Sequence, residues 1–506
     1  MTRIGIDLGT TYSCVSYLDE NGKPVISPDA EDCTNTPSVI LFRDRDSVIV
    51  GTEAKETSAL FDPEYTVESI KRMVGTDYKV SIYDRTYDPV SLSSIILRKL
   101  LDDFELKHGT RPTEAVITCP AYFKNNERMA TKDAGYSAGL KEVTLLNEPT
   151  AAAICFGFGQ DDNSHKRILV YDLGGGTFDV TILDINGRHF DVVATDGERK
   201  LGGKDWDERI KEMILDKLSQ ISGIQIGSMK KNTDLMARLT MDSENIKKRL
   251  TDNEKANMTC VIKGSKYKYT ITRQEFEDAT FDLVTTTADI VDRALASKNI
   301  TEDEIDEIVL VGGSSLMPQV TETIKNRYPN NRISIYDPHE SIAKGAAIFS
   351  ASLDSVTSDE TESTHDAAAE ENPKTGEPAI TINDVLSSSF GIMAKVCGQD
   401  MITNIIFKNN PLPITRERMY YLQEDGQDEL EIEIYESSAN DDNAGKNIPL
   451  DEGTNLGKFI MSLPLGVTRE TPVKITFNAT KEGILTATAT CMDAVCSCRI
   501  ERKLTG

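Results

Sequence analysis

Short, strongly apolar segments alternate with longer stretches of helical spacing over the first 351 residues. Residues 116–119 and 308–311 are runs rich in β-branched side chains, which is typical of strands buried on both faces. Residues 126–138 are predicted to form a helix. A further helix is predicted from apolar residues that recur at helical spacing, namely Trp206, Ile210, Met213, Ile214 and Leu218. The alternation predicts an α/β layout in which strands lead into glycine-rich turns.

From about residue 385 the pattern of apolar residues changes to a period of two. Residues 430–434, 473–477 and 486–490 alternate between apolar and polar side chains, as expected of strands with one buried face. Turn signals such as Asp425-Gly426 and Glu482-Gly483 separate these runs. This part of the chain is therefore predicted to form a small all-β domain.

The segment between these two regions is strongly acidic and lacks aromatic residues. Residues 352–378 hold eight Asp or Glu against a single lysine, Lys374. Such a composition cannot bury enough apolar surface to fold. We therefore expect an α/β domain over residues 1–351, a disordered segment and interdomain linker over 352–384, and the β domain over 385–506.

The bulk composition of the chain disfavours several classes of partner. A length of 506 residues predicts roughly three compact units. The net charge of −26 disfavours nucleic acid and anionic membranes, and no apolar run is long enough to cross a bilayer. A predicted strand begins directly after the N-terminus, so no signal peptide is expected. Nine cysteines are scattered singly, which indicates a reducing, cytoplasmic environment.

Two short segments, far apart in the chain, carry nearly the same motif. Residues 7–11 (DLGTT) and residues 172–179 (DLGGGTFD) each follow a buried apolar run and precede another. Each segment alone also fits an ordinary hairpin turn, because Gly and Asp are common turn residues. The repetition favours two strand–turn–strand units that face each other across a cleft.

The residue types in these motifs suit a polyphosphate and a metal ion. Glycines let consecutive backbone N–H groups approach an anion closely, and threonines add hydroxyl donors. Carboxylates beside phosphates repel them unless a cation lies between. The carboxylates of the motifs therefore indicate Mg²⁺ held largely through water, with Asp7, Asp172 and Asp179 around it.

Three further features are weak alone but fit the same site. Lys71 lies in a short predicted helix, although a single lysine is usually a solvated surface charge. Glu148 is predicted to lie where a strand meets a helix, a position at which a carboxylate also interacts favourably with the helix dipole. Residues 312–315 (GGSS) follow a buried strand and form a third turn that could face an anion or a nucleotide.

Together these motifs resemble a known family of chaperones. The segments that carry the resemblance are residues 4–17, 119–123, 130–135, 147–154, 171–183, 201–203 and 309–318. They are similar to the nucleotide-binding domain of the heat shock protein 70 (DnaK-type) family, and the β domain resembles that family's peptide-binding sandwich. The resemblance implies an α/β actin-like two-lobed ATPase, with ribonuclease-H-like duplicated subdomains, followed by an all-β sandwich that binds peptides.

The resemblance also implies a role for individual positions. For ATP hydrolysis it implies Asp7, Lys71, Glu148, Asp172 and Thr177, with Lys71 positioning the attacking water and Glu148 ordering it. For binding of ATP or ADP it implies Thr10, Thr11, Tyr12, Gly174, Gly175, Gly176, Thr177, Gly202, Gly203, Glu244, Lys247, Lys248, Thr251, Gly312, Gly313 and Ser314. For coupling between domains it implies Pro120, Arg128 and Asp384. For the apolar peptide pocket it implies Met401, Leu430, Ile432 and Ile434, although the last three also fit the core face of a strand.

The chain departs from the family pattern at three places. The family usually has an Arg that stacks on adenine where this chain has Leu316, which predicts weaker nucleotide binding. The linker at residues 380–384 (ITIND) is less apolar than the usual leucine-rich run, which leaves open whether it docks on the ATPase. No helical lid is expected after the β domain, and the segment between Lys71 and Pro120 is shorter than usual. Bound peptide is therefore expected to exchange faster.

The resemblance predicts an ATP-dependent chaperone that binds extended apolar segments of unfolded proteins. It implies ATP or ADP and Mg²⁺ as ligands, and a J-domain co-chaperone and a nucleotide exchange factor as partners. One alternative keeps the fold but makes the protein a nucleotide-binding scaffold or a passive holdase. A second alternative, a small-molecule kinase of the actin-like superfamily, leaves the β domain without a role.

Overall fold

Two sheets with matching strand order dominate the N-terminal part of the chain. A computed structural model describes residues 3–58, 61, 63–158, 165–353, 380–439 and 444–499. Its first sheet has the order β11-β10-β1-β2-β3, with β4 paired to β2, and its second has the order β18-β17-β12-β13-β14-β19. In each sheet the strand before the glycine-rich turn is antiparallel to the next strand and parallel to a later one. The repetition fits the predicted duplicated subdomains.

We call the first sheet with its flanking elements the first lobe. Its strands are β1 (Arg3–Asp7), β2 (Tyr12–Leu18), β3 (Pro24–Ser27), β4 (Thr36–Pro37), β5 (Val39–Phe42), β6 (Val48–Val50), β7 (Thr66–Glu68), β8 (Val80–Ile82), β9 (Arg85–Tyr87), β10 (Glu114–Cys119) and β11 (Glu142–Asn147). Its helices are α1 (Thr52–Thr57), α2 (Pro89–His108), α3 (Asn125–Ser137) and α4 (Glu148–Gly157).

We call the second sheet with its flanking elements the second lobe. Its strands are β12 (Lys166–Leu173), β13 (Phe178–Asn186), β14 (His189–Glu198), β15 (Lys255–Ile262), β16 (Ser265–Thr272), β17 (Glu307–Val311) and β18 (Arg332–Ile335). Its helices are α5 (Gly203–Ser222), α6 (Ile226–Met229), α7 (Thr233–Asp252), α8 (Arg273–Ala279), α9 (Phe281–Ala296), α10 (Pro318–Arg327) and α11 (Ser341–Leu353). Short 3₁₀ turns occur at Pro63–Tyr65, Ile70–Met73, Glu302–Glu304, Gly313–Leu316 and Leu450–Glu452.

Two helices rich in small residues join the lobes behind the cleft. α11 packs against both α4 and β1, and α4 begins at Glu148. A Cβ added to Gly345 of α11 would lie 1.8 Å from the carbonyl oxygen of Ala151, so only glycine permits this helix contact. A shared core includes Val116 of the first lobe and Val170 of the second. This packing holds the inner strand ends of both lobes close to each other.

The last nine strands form two sheets packed on one core, which we call the β sandwich. They are β20 (Ser389–Val396), β21 (Gln399–Ile406), β22 (Ile414–Tyr421), β23 (Glu429–Ser437), β24 (Asn447–Pro449), β25 (Gly453–Ser462), β26 (Pro472–Ala479), β27 (Leu485–Cys491) and β28 (Ala494–Arg499). The sheets have the orders β24-β21-β20-β23-β25 and β22-β26-β27-β28. Phe390, Ile475 and Phe477 are buried between them. The alternation predicted from the sequence fits these strands.

The predicted acidic segment falls largely outside the described residues. Helix α11 ends at Leu353, just beyond the predicted boundary at residue 351, and residues 354–379 are not described. Description resumes at Ile380, and β19 (Thr381–Asn383) pairs in parallel with β14. The linker therefore docks on the second lobe as the last strand of its sheet. The linker docks on this lobe through main-chain pairing, although its side chains are less apolar than is usual in the family.

Candidate functional site: a cleft between two glycine-rich turns

A cleft of about 660 Å³ lies between the two lobes. The turn of the first lobe, residues 8–11, joins β1 to β2, and the turn of the second lobe, residues 174–177, joins β12 to β13. The turns approach so closely that a Cβ on Gly175 would lie 2.1 Å from Thr11 Oγ1. A Cβ on Gly176 would lie 2.4 Å from Thr10 Cγ2. Glycine in the second turn is therefore required by the side chains of the first.

Most residues predicted for the nucleotide site line this cleft. They are Asp7, Thr10, Thr11, Tyr12, Lys71, Glu148, Asp172, Gly174, Gly175, Thr177, Glu244, Lys247, Lys248, Thr251, Gly312, Gly313 and Ser314. Four others pack behind the lining residues, namely Gly176, Asp179, Gly202 and Gly203. Leu316 also lines the cleft, as an uncharged and half-buried side chain.

Two buried carboxylates, Asp172 and Asp179, and the half-buried Asp7 surround the inner end of the cleft. Burial, reinforced by the charge of Glu148, raises the pKa of Asp7 to about 7, although Lys71 opposes the shift. Burial also raises the pKa of both Asp172 and Asp179 well above the usual range. Buried carboxylates that resist ionisation in this way are stabilised by a nearby cation.

The donor set at this end suits a hydrated cation. Asp179 accepts a hydrogen bond from the backbone N–H of Ala121 at 2.8 Å through Oδ1, whereas its Oδ2 is buried without a hydrogen-bond partner. Thr11 Oγ1 is also buried without a partner. Among the described residues, no three His, Cys, Asp or Glu side chains are grouped so that they could ligate a metal ion directly. The carboxylates thus fit an ion that keeps its waters and is contacted through them.

Lys71 and Glu148 form a buried ion pair beside these carboxylates. Lys71 lies in the 3₁₀ turn Ile70–Met73, and its Nζ donates a hydrogen bond to Oε1 of Glu148, the first residue of α4. Burial lowers the pKa of Lys71, but the charges of Glu148 and Asp7 outweigh burial and raise it overall. A charged ammonium and a carboxylate are therefore held together next to the phosphate-facing turns.

A contact across the mouth of the cleft involves a residue that sequence reasoning missed. Lys55 of α1 donates to Glu244 of α7 at 2.7 Å and to the Tyr12 hydroxyl at 3.0 Å. Lys248 also lies 2.7 Å from Glu244. Although burial opposes ionisation, the charge of Lys55 and the hydrogen bond from Lys248 lower the pKa of Glu244 to about 2. Helix α7, which carries four of the residues implied for nucleotide binding, is thus tied to the first lobe.

Other predicted and unpredicted residues brace the second turn. Lys247 donates to the carbonyl of Gly203 at 2.7 Å and pairs with Asp207 at 2.8 Å, so its ammonium is already engaged. Arg72, which the sequence did not single out, donates to the carbonyl of Gly176 at 2.9 Å and to Asp205 at 2.6 Å. Its position directly after Lys71 is the only signal that could have drawn attention to it.

The predicted coupling residues form a connected path from the cleft to the linker. Arg128 Nη2 donates to Asn147 Oδ1 at 2.7 Å, and Asn147 Nδ2 donates to Asp384 Oδ2 at 2.6 Å. Burial raises the pKa of Asp384, whereas Arg128 and the hydrogen bond from Asn147 lower it. Pro120 joins the path through Phe123, which donates its N–H to the Pro120 carbonyl at 3.0 Å and accepts from Arg128 Nε at 3.0 Å. Sequence reasoning missed Asn147, which carries the link.

The β sandwich also contacts the first lobe through a turn at Glu482. Lys132 of α3 donates to Glu482 Oε2 at 2.6 Å, and Arg128 Nη1 donates to the Glu482 carbonyl at 3.4 Å. Lys124, at the start of α3, pairs with the buried Glu436 of β23 at 2.9 Å. Three basic side chains spaced four residues apart therefore face carboxylates and a carbonyl of the sandwich.

The residues predicted for the peptide pocket do not share one environment. Ile432 and Ile434 are buried in the core of the β sandwich, and Leu430 packs against that core while half-buried. Met401 is half-buried on β21, where it pairs with Ala394 and lies outside that core. For Ile432 and Ile434, the structure matches the core alternative of the two readings that the strand pattern left open.

Two further observations concern the cysteines and the helices of the described residues. Four free cysteines, Cys14, Cys119, Cys155 and Cys260, are buried in the two lobes. Among the residues that the structure describes, no helix has the length and apolar character needed to span a membrane.

A comparison with protein families agrees with this architecture. A family model described as Hsp70 protein matches residues 3–85 and 78–503, which is nearly the whole chain. Members of that family are, in general, ATP-dependent chaperones that hydrolyse ATP, use Mg²⁺ and bind unfolded polypeptides together with co-chaperones. The chain therefore belongs to the Hsp70 protein family.

Proposed function

We propose that this chain hydrolyses Mg-ATP in the cleft and uses nucleotide state to change the affinity of its β sandwich for extended apolar peptides. The observation that carries the proposal is the adjacency of Asn147 and Glu148. Glu148 pairs with Lys71 in the cleft, while Asn147 bonds Asp384 of the linker. A shift of α4 relative to the cleft would therefore change the hydrogen bond between Asn147 and Asp384 of the linker.

The chemistry proposed for the cleft is positioning and charge neutralisation. When bound, Mg²⁺ supplies positive charge to the phosphates, and Asp7 and Asp172 hold its waters. Lys71 places a positive charge beside the γ-phosphate and positions the attacking water, and Glu148 accepts a hydrogen bond from that water and orients it. The carbonyls of Gly174 and Gly175 accept from the first residues of α5, and the N–H of Gly174 donates to Thr177, so the N–H groups of Gly175 and Gly176 are the ones that we propose for the phosphates.

The peptide site is proposed for the β sandwich, in an extended mode that combines main-chain hydrogen bonds with apolar contacts. Met401 and Leu430 are the two proposed pocket residues with exposed surface in this arrangement. Ile432 and Ile434 would contribute only if the two sheets open over β23. We retain the proposed division into residues 1–351, 352–384 and 385–506, with the linker as the element between the two activities.

The test is the affinity of a labelled extended apolar peptide, measured by anisotropy in ATP and in ADP. Wild type is expected to bind the peptide more weakly in ATP, and Asn147→Ala is expected to bring the two affinities together. Asn478→Ala is the matched control, because Asn478 is exposed and its side chain bonds only Thr415 within the sandwich. Equal affinities in both nucleotides for wild type would refute the coupling, and no peptide binding would refute the chaperone function.

Leu316 favours a second candidate, a holdase whose peptide binding ignores nucleotide. Its uncharged side chain lines the cleft and offers no cation–π contact to a base, a contribution of about 1 kcal/mol. A holdase would suppress aggregation of an unfolded client equally with and without ATP. An ATP-dependent difference in that assay would exclude it.

The cellular setting is proposed from composition and family. Nine cysteines scattered singly along the chain support a reducing compartment, which we take to be the cytoplasm. A J-domain protein and a nucleotide exchange factor are the proposed co-chaperones, and neither nucleic acid nor a membrane is proposed as a partner. Stimulation of ATP turnover by an added J-domain protein would test the first of these.

A further inference from the structure

Two edge strands of the β sandwich lie side by side where its two sheets end. β25 is the last strand of one sheet and β28 the last strand of the other, and in the described sheets each pairs with one neighbouring strand. The Sγ of Cys496 on β28 donates to the carbonyl of Ile460 on β25 at 3.6 Å. We call the gap between β25 and β28 the seam. Because Cys496 is only half-buried, a small ion can reach the seam without any opening of the core.

Two thiols lie on the core side of β28 at this open border. Cys496 pairs with Ala489 and Cys498 pairs with Ala487, and both alanines are fully buried on the core face of β27. Residues directly opposite each other on an antiparallel pair share a face of the sheet, so both thiols lie on that same face. Both cysteines pack against the sandwich core while they stay half-buried.

This pair differs from the other cysteines, all of which lie in the described part of the chain. Cys33 and Cys397 have exposed surface, but Cys33 is the only cysteine between β3 and β4, and Cys397 is the only one in the turn between β20 and β21. The remaining five are buried, namely Cys14, Cys119, Cys155, Cys260 and Cys491. Only residues 496 and 498 therefore place two accessible thiols on one face of one strand.

The spacing and chemistry of this pair suit one soft metal ion. Residues two apart on a strand are separated by about 7 Å. Two thiolate–metal bonds of about 2.3 Å each, set in a line, reach between two such side chains once these lean toward each other. Zinc takes four ligands, whereas among the described residues no three His, Cys, Asp or Glu side chains are grouped to hold a metal ion. Cu(I) is soft, prefers thiolates and is stable with only two of them.

We propose that Cys496 and Cys498 form a binding site for a single Cu(I) ion at the seam. Binding forms two copper–sulfur bonds, releases both thiol protons to solvent and replaces the hydrogen bond from Cys496 to Ile460. Copper stays in the +1 state throughout, so the step needs neither an oxidant nor a reductant. The site lies in the β sandwich, away from the cleft between the lobes, and the inference does not depend on nucleotide binding.

The test is a titration of the full chain with Cu(I) in the absence of oxygen, in competition with a coloured Cu(I) chelator. Wild type is expected to retain one Cu(I) per chain. Cys496→Ser and Cys498→Ser should each weaken this binding by more than about a hundredfold, since loss of an outer hydrogen-bond partner of a ligand already costs about 10–100-fold. Cys33→Ser and Cys397→Ser, at accessible cysteines that stand singly, are the matched controls. X-ray absorption of the one-to-one complex should show two sulfur neighbours around copper.

A second pair of variants separates metal ligation from folding. Cys496→Ala and Cys498→Ala remove the thiol but keep an apolar side chain against the core, so without metal they should melt at the wild-type temperature and still lose Cu(I). Wild type that gives up all its Cu(I) to the chelator would overturn the proposal. Full retention by Cys496→Ser or Cys498→Ser would do so too, as would an equal loss in Cys33→Ser or Cys397→Ser. A shell of nitrogen or oxygen around copper would refute the two-thiolate site.

Discussion

The turns of the two lobes share a length and a motif but differ in what supports them. In the first, Gly9 is held by side chains, since its N–H donates to Ser13 Oγ at 3.1 Å and its carbonyl accepts from Ser38 Oγ at 2.8 Å. In the second, Gly174 is held by main chain, because its carbonyl accepts from the N–H of Gly203 at 3.0 Å. Related motifs thus reach the same cleft by different means: side-chain hydrogen bonds hold the first turn, and main-chain hydrogen bonds hold the second.

Both lobes hold the rest of the chain through side chains, and the second lobe adds main-chain pairing with the linker. The first lobe contacts the β sandwich through side chains, including the Lys132–Glu482 pair. The second lobe contacts the linker through parallel pairing of β14 with β19. Side-chain contacts are sensitive to single substitutions, whereas main-chain pairing tolerates them. The following predictions test this contrast.

The largest effect is expected where the lobes meet, at Lys71. Lys71→Ala should lower ATP turnover by about 10²–10³-fold, because one preorganised charge beside the γ-phosphate is lost. Steady-state phosphate release measures this, with Lys79→Ala at an exposed site as control. Lys71→Ala also leaves Glu148 buried and unpaired, which destabilises the fold. The double variant Lys71→Met with Glu148→Gln removes both charges, so a double variant that folds but does not hydrolyse ATP has lost catalysis and not folding. Turnover within twofold of wild type would contradict the assigned role.

A second prediction concerns the glycines of the second turn. Gly175→Ala should weaken ADP binding by about ten- to a hundredfold, because overpacking against Thr11 costs about 1–3 kcal/mol. Gly174→Ala is the matched control, since the nearest atom to its added Cβ is 3.6 Å away. Thr11→Ala in the Gly175→Ala background should recover part of the loss. Equal affinities for the two alanine variants would show that the turns do not need to interlock.

The raised pKa of Asp7 gives a smaller, pH-dependent effect. Below its pKa of about 7 the carboxyl holds a proton, and a cation that needs the carboxylate must displace it. Affinity for Mg-ADP should therefore fall as the pH drops from 8 to 6, by at most about tenfold per pH unit. Titration calorimetry at several pH values measures this.

Two variants sharpen the pH prediction. Asp7→Asn should bind Mg-ADP more weakly and without this pH dependence, because it carries no titrating proton at that position. Asp77→Asn, at an exposed carboxylate, should keep the wild-type profile. A flat wild-type profile across this range would mean that Asp7 is ionised before the cation binds.

The smallest effect is expected at the Lys132–Glu482 contact. Lys132→Ala should reduce the ratio of peptide affinities in ADP and ATP by about two- to fivefold, since partly exposed ion pairs contribute about 0.2–1 kcal/mol. Lys141→Ala, exposed on the same lobe, is the control. A double-mutant cycle with Glu482→Ala isolates the pair. Strictly additive effects would mean that the two side chains do not interact in the docked form.

Local patterns in the sequence predicted strands of the β sandwich and both turns of the cleft. Period-two alternation located β23, β26 and β27, because one face of each strand packs into the sandwich core. The doubled glycine motif located both turns of the cleft. An alternating pattern does not show whether the apolar face of a strand packs in the core or binds a ligand. For this reason the sequence left both the peptide pocket and the core open for Ile432 and Ile434.

Contacts between distant segments were beyond the reach of the sequence. Lys55 and Glu244 are separated by 189 positions, and nothing near either residue signals the other. The link through Asn147 depends on which face of β11 meets the linker. The docking of residues 380–384 was underestimated for a different reason: strand pairing uses backbone groups, so side-chain apolarity is a poor guide to it.

The pairing of β19 with β14 also matters for solubility. While the linker is docked, its strand covers the backbone donors and acceptors along residues 189–191. Each release of the linker leaves that border of the sheet unpaired, and an unpaired border is a template for strands of other chains. The undocked form should therefore be the more adhesive one, both towards clients and towards its own copies, and self-association should rise with the time spent undocked.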